Sequence, residues 1–314
     1  MKVKYDKRRQ NSMKYFKKDI GVNGAEATFY LQQPNKEIDI NRKSPVMIIV
    51  PGGAYMWTSW REEEPIALEF LGKGFSCVVA QYATEGLEFF DGKHDYSKEP
   101  VSAFPNPLVD LAKTIAYTRE HADEWSLDAN SINVIGFSAG GNLTAQLGVY
   151  WNTDWLEKLV QKPRTEYQPN TICLSYGAPH MAMSPEKDHY KQTKKMAGLN
   201  MIDYATLGND QSEERVKLVN MVDTVTKDVP PTFIWHTMED PYVPVASALK
   251  FAAQLEEKMV PFELHIYQKG KHGLALADLR TDSKKDRSQS NEQAASWKRL
   301  YLGWLTENKL IHLF

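Results

Sequence analysis

Residues 131–151 read SINVIGFSAGGNLTAQLGVYW. The first seven, SINVIGF, are an apolar, β-branched run of strand length. The last ten, NLTAQLGVYW, carry the apolar spacing of a helix. Between them, Gly136-Phe137-Ser138-Ala139-Gly140 fits the pattern G-x-S-x-G. A serine at a sharp strand-to-helix turn is the context that pattern requires. The turn strains the backbone, glycines on either side let neighbouring chain come close, and the hydroxyl is aimed out of the sheet. The plainer reading is a serine that caps the helix, a role serine favours.

The rhythm of this segment extends in both directions. VMIIV (46–50) ends at Pro51-Gly52-Gly53, EEEPIALEFLGKG (62–74) has a helical pattern with a glycine stop, and FSCVVAQY (75–82) is the next strand. A helix opens at Asn106-Pro107, with Leu108, Leu111, Ile115 and Thr118 near a 3.6-residue period. TICLSY (171–176), TFIWH (232–236) and FELHIYQ (262–268) are further strands, with a helix around 245–258 and a closing helix over 291–308. Short strands apolar on both faces, each followed by a helix, predict an α/β fold with a mostly parallel central sheet covered on both sides. Such a sheet places its chemistry in the loops after the strands.

Those loops supply a candidate relay. Ser138 needs a base to take its proton. The order expected after an elbow serine is acid, then histidine. His272 follows the last strand in the glycine-flanked loop KGKHG, whereas His265 sits mid-strand and the rival His236 precedes the acid. Asp240 follows TFIWH just ahead of Pro241, with Glu239 as the competing carboxylate. The acid's role is to hold the imidazole tautomer and stabilise the imidazolium. The small residues after VMIIV free the N–H groups of Gly53 and Ala54, with that of Ala139, to receive a developing oxyanion. A histidine base implies hydrolysis that falls off in mild acid.

With these four pieces in order, the chain resembles the α/β-hydrolases. It is most similar to the esterase and lipase group with an HGGG-type oxyanion loop, including its acetyl-xylan-esterase-like and small carboxylesterase members. The pieces that match are PGGAY, the REEEP segment, GFSAGGNL, HTMEDPYVP and PFELHIYQKGKHGLAL, over about residues 26–305. The resemblance implies Ser138 as nucleophile, Asp240 as acid, His272 as base, and the amides of 53, 54 and 139 as oxyanion donors. Pro51 stands where many relatives have His, and Ala54 where many have a third Gly. Phe137, where the lipase branch often has Asp, favours the acetyl-esterase-like branch. The implied activity is hydrolysis of short acyl, acetyl-type esters of a carbohydrate or small alcohol through an acyl-serine. A peptidase or lactone hydrolase of the same fold, or a non-catalytic ligand-binding member, are the other readings.

Tyr55, Trp57, Trp60, Arg61 and His180 are candidate pocket residues, although aromatics there also serve as core. No metal site or cofactor is expected: the chain has neither HExxH nor a CxxC pair. Thirty-eight basic against forty acidic residues, a net charge of −2, give no general footprint for nucleic acid. No apolar run has the length of a membrane span. The two cysteines, Cys77 and Cys173, lie in apolar strands, which suggests a reducing compartment with cytoplasm as the default. Eight of the first twenty residues are Lys or Arg without an apolar stretch, so 1–20 reads as a solvated basic leader and 21–314 as one domain. The long stretch 177–231 reads either as a lid or as extra helices packed on the fold. The small-molecule ester is the one partner expected, and the oligomeric state is left open.

Overall fold

The computed structural model describes residues 13–21, 23–87, 95, 97–179 and 201–313. Eight strands form one sheet: β1 (Lys14–Asp19), β2 (Glu26–Leu31), β3 (Ser44–Val50), β4 (Ser76–Gln81), β5 (Leu127–Phe137), β6 (Thr171–Ser175), β7 (Thr232–Thr237) and β8 (Phe262–Tyr267). Their order is β1-β2-β4-β3-β5-β6-β7-β8. All pairings from β4 through β8 are parallel, and β1 and β2 add antiparallel strands at one edge. This is the α/β-hydrolase architecture the sequence predicts.

Helices cover both faces: α1 (Glu64–Leu71), α2 (Asn106–Glu120), α3 (Ala139–Tyr150), α4 (Asp154–Val160), α5 (Arg164–Tyr167), α6 (Met201–Leu207), α7 (Glu213–Leu218), α8 (Val245–Glu257), α9 (Glu292–Ala295) and α10 (Trp297–Glu307). Strand alternation sends neighbouring residues into two separate cores. Ile48 and Val134 pack with Leu143, Ile115 and Phe251 on one face. Ile49, Ile135 and Trp235 pack with Phe70, Trp297 and Tyr301 on the other. Every side chain of β3 is buried, as befits a central parallel strand. The register aligns the strand ends: Val50 lies beside Gly136, Phe137 beside Ser175, Ser175 beside Trp235, and Thr237 beside Tyr267. The loops after β3, β5, β7 and β8 therefore open on the same edge.

Four sequence expectations change. The segment 1–20 is not all solvated leader, because residues 14–19 form β1; Phe16 stacks on Phe29 with ring centres 4.8 Å apart and meets Trp125 edge-on. β2 also went unread, although EATFYL is largely apolar. The closing helix is broken at Ser296 into α9 and α10. Leu68, one of the apolar residues of the EEEPIALEFLGKG helix, is exposed, whereas Ala67 beside it is buried.

In the stretch read as a lid or packed helices, residues 180–200 lie outside the described residues. The described part, 201–231, is packed on the fold. Tyr204 is fully buried and donates to the Lys98 carbonyl, and Tyr150 donates to that of Leu218. Among the described residues no helix is long and apolar enough to cross a membrane.

Candidate active site

Ser138 connects β5 to α3 with φ 52° and ψ −118°, a backbone conformation that is strained for a residue with a Cβ. Its neighbours make room for the turn. A Cβ on Gly140 would run into the carbonyls of Val50 and Pro51, and one on Gly136 into Gly140 and Thr144. Both glycines are thus required by close packing of chain on chain. Helix α3 begins directly after Ser138, so its first amides point toward the serine.

The three residues spread over 135 positions of sequence meet here. Ser138 Oγ lies 2.7 Å from His272 Nε2, and His272 Nδ1 lies 2.7 Å from Asp240 Oδ2. The Asp240 side chain is 1% exposed and that of His272 16%. Asp240 Oδ1 accepts from the amides of Tyr242 and Val243 at 2.8 and 2.9 Å, which fixes the carboxylate in the turn after β7. Burial works to raise the Asp240 pKa; the hydrogen bond and charge of His272, helped by the Val243 amide, outweigh it and hold the carboxyl below its usual value. An ionised carboxylate only accepts, so Nδ1 carries a proton; when the ring is neutral, the Nε2 lone pair therefore faces the serine hydroxyl.

The rival residues have other partners. Glu239 accepts from the Gly270 amide at 3.3 Å, in the loop that carries His272. His236 is fully buried and its Nδ1 accepts from the Thr237 amide, while His265 pairs with Glu263.

The loop after β3 closes over Ser138. A Cβ on Gly52 would come within 2.7 Å of the Ser138 Cβ. Gly53 and Ala54 both have positive φ, 132° and 55°, and Ala139 is the first residue of α3. The loop is tied down on both sides: the Pro51 carbonyl accepts from the Tyr82 hydroxyl at 3.0 Å, and the Gly52 amide donates to Glu62 Oε2 at 2.8 Å.

Glu62 is the residue that sequence reasoning missed. The run REEEP has the acidic character of a helix N-terminus. Glu63 and Glu64 indeed open α1, but Glu62 turns inward and is 3% exposed. Its Oε1 accepts from the Tyr176 hydroxyl at 2.7 Å, and that hydroxyl accepts from the Ala275 amide at 2.9 Å. Burial raises the Glu62 pKa, and the Tyr176 and Gly52 bonds oppose the rise.

The candidate pocket residues separate. Tyr55 is not a pocket wall: it is 1% exposed, its hydroxyl donates to Asn142 Oδ1 at 2.6 Å, and its ring packs on Tyr82. Its positive φ turns the side chain inward with the loop. Trp57 and Trp60 are exposed, Trp60 strongly so at 84%. The Arg61 guanidinium comes within 3.8 Å of where a Cβ on Gly273, the neighbour of His272, would lie. His180 lies outside the described residues. Tyr242, which the sequence did not single out, stands edge-on to the His272 ring at 5.7 Å.

Known proteins share this arrangement of sequence and fold. The chain is 27% identical over 241 residues to endo-1,4-beta-xylanase B of Butyrivibrio fibrisolvens, covering 75% of this chain and 33% of that protein. It spans 33% to 47% of the length of three curated relatives that it matches. Solved structures match over nearly their whole length. A carboxylesterase of Lactobacillus plantarum superposes with a TM-score of 0.77 at 25% identity, over 96% of this chain and 99% of that one. An acetyl ester-xyloside bifunctional hydrolase of Caldicellulosiruptor lactoaceticus superposes at 0.69 and 27% identity, over 92% and 89%. The BD-FAE profile matches residues 31–255, a span that takes in the loop after β3, the serine turn and Asp240 and stops short of His272. On that match, over most of its length and on the α/β-hydrolase fold described above, the chain belongs to the BD-FAE family.

Proposed function

We propose that the protein is a serine esterase that hydrolyses short-chain, acetyl-type esters of a carbohydrate or small alcohol. The observation that carries this reading is the continuous relay from Ser138 through His272 to Asp240, with both links at 2.7 Å. His272 Nε2 takes the Ser138 proton as Oγ attacks the ester carbonyl carbon. The carbonyl oxygen becomes an oxyanion, received by the amides of Gly53, Ala54 and Ala139. As the intermediate collapses, the carbon–oxygen bond to the alcohol breaks and His272 gives the alcohol its proton. Water then attacks the acyl-serine, its proton going to His272 and on to Ser138 Oγ, and the carboxylic acid leaves. Asp240 stays ionised throughout and stabilises the imidazolium.

The acetyl preference is supported by likeness to the acetyl ester-xyloside hydrolase, and Trp57 and Trp60 offer aromatic faces suited to a sugar ring. Both thiols, Cys77 and Cys173, are free and buried, which supports a reducing compartment such as the cytoplasm. The test is a panel of p-nitrophenyl esters of increasing chain length together with acetylated sugars. The proposal expects kcat/KM to be highest for acetyl and to fall with chain length, with activity on sugar acetates. A preference for long chains would reject it.

A further inference from the structure

We propose that Glu62 is a positioning residue whose carboxylate clamps the oxyanion loop to the loop that carries His272. The proposal rests on the esterase reading above. One oxygen of Glu62 accepts from the Gly52 amide, in the loop that lies against Ser138. The other accepts from the Tyr176 hydroxyl at the end of β6. That hydroxyl accepts in turn from the Ala275 amide, three residues beyond His272. The Tyr176 ring stands edge-on to the imidazole, with centres 5.2 Å apart, and is itself wedged against Phe137 and Trp235. Glu62, through the Tyr176 hydroxyl, therefore links the loops that follow β3, β6 and β8.

The chemistry of the side chain is specific. Packing alone would be served as well by an apolar residue, since burying a carboxylate is costly. A carboxylate offers two acceptor oxygens about one side-chain plane, and here each meets a donor from a different loop. A glutamine offers one acceptor and turns a donor toward the tyrosine hydroxyl. The consequence falls on the transition state. Gly52 precedes the two residues whose amides receive the oxyanion, and Ala275 anchors the chain behind the base. Loosening either link shifts donors or base relative to Ser138, which ground-state binding of the ester senses little.

The test compares the parent with Glu62→Gln, Tyr176→Phe and the double variant. It measures kcat and KM for p-nitrophenyl acetate, and inhibition by an alkyl trifluoromethyl ketone, whose adduct with a serine carries an oxyanion. Each single variant is expected to lose about tenfold or more in kcat with KM within about twofold, a share of what a full oxyanion donor is worth. The ketone's inhibition constant is expected to rise by the factor that kcat/KM falls. The double variant is expected to be no worse than the weaker single, because both cut the same chain of bonds. Parent-like kcat in either folded variant overturns the clamp, as does a fall in kcat that leaves ketone binding untouched. Should Glu62→Gln fail to fold, Tyr176→Phe, which removes one oxygen only, decides. An active parent with unaffected variants overturns the clamp alone; a parent silent toward esters overturns the functional reading and the clamp with it.

Discussion

Asp240 is a carboxylate held on both of its oxygens. It is buried, held by two amides, and kept below its ordinary pKa by the imidazole it faces. Its negative charge fixes which nitrogen of His272 carries the proton. Asp240→Asn preserves shape and removes that charge, so it is expected to lower kcat by roughly a hundredfold or more with a small change in KM. Steady-state kinetics on p-nitrophenyl acetate check this; a parent-like kcat would mean the carboxylate is a bystander. At this scale the meeting of Ser138, His272 and Asp240 was legible in the sequence, because each stands in a loop directly after an apolar strand. Tyr55 and Glu62 were not, for a shared reason. Whether a loop side chain turns inward depends on the local backbone, and the positive φ at Ala54 and Tyr55 is invisible in residue types that rarely adopt it. A glutamate is also seldom buried, so composition argues against Glu62 in the one place where it is paired on both oxygens.

Among the elements, α2 carries a buried carboxyl that plays no part in the relay. Asp110 is 8% exposed and accepts from the Ala83 amide, just past β4, at 3.2 Å. Burial pushes its carboxyl up to about 6, against the weaker pull of that amide and of the Lys113 charge. The raised value means that the folded chain holds this proton more tightly than the unfolded one. Ionising Asp110 therefore costs stability as pH rises through the window from the ordinary carboxyl range to about 6, and the cost is complete above it. Asp110→Asn is expected to gain about 1–3 kcal/mol near neutrality and nothing near about pH 4. Urea unfolding at the two pH values checks this, and equal shifts at both would contradict it. Element type was well read where apolar runs were continuous, as in β3, β5, β6 and β7. It failed at β1, where KYFKKD holds four charged residues in six. An edge strand buries only part of one face, so Phe16 alone carries the signal.

Across the whole molecule, the parallel register brings the ends of β3, β5, β7 and β8 to one edge, and thereby brings residues 52, 138, 240 and 272 together. The lateral edge of the sheet beside β4 is completed by the two antiparallel strands β2 and β1. Phe16→Ala removes the ring that joins β1 to Phe29 and Trp125, and is expected to lower stability by about 1–3 kcal/mol without changing kcat. Unchanged unfolding in urea would show that the N-terminal strand adds nothing to the sheet. Alternation of strand and helix made this architecture readable in advance. What it could not reveal is the cross-linking of loops by buried polar groups, which depends on distances that only the assembled sheet sets.

The central claim is that Ser138 is a nucleophile activated by His272. Labelling with a fluorophosphonate, followed by peptide mapping, tests it most directly. The parent is expected to take up one phosphonyl group on the peptide that contains Ser138, His272→Ala to label far more slowly, and Ser138→Ala not at all. A folded parent that stays unlabelled, or labelling that survives Ser138→Ala unchanged, would contradict the claim.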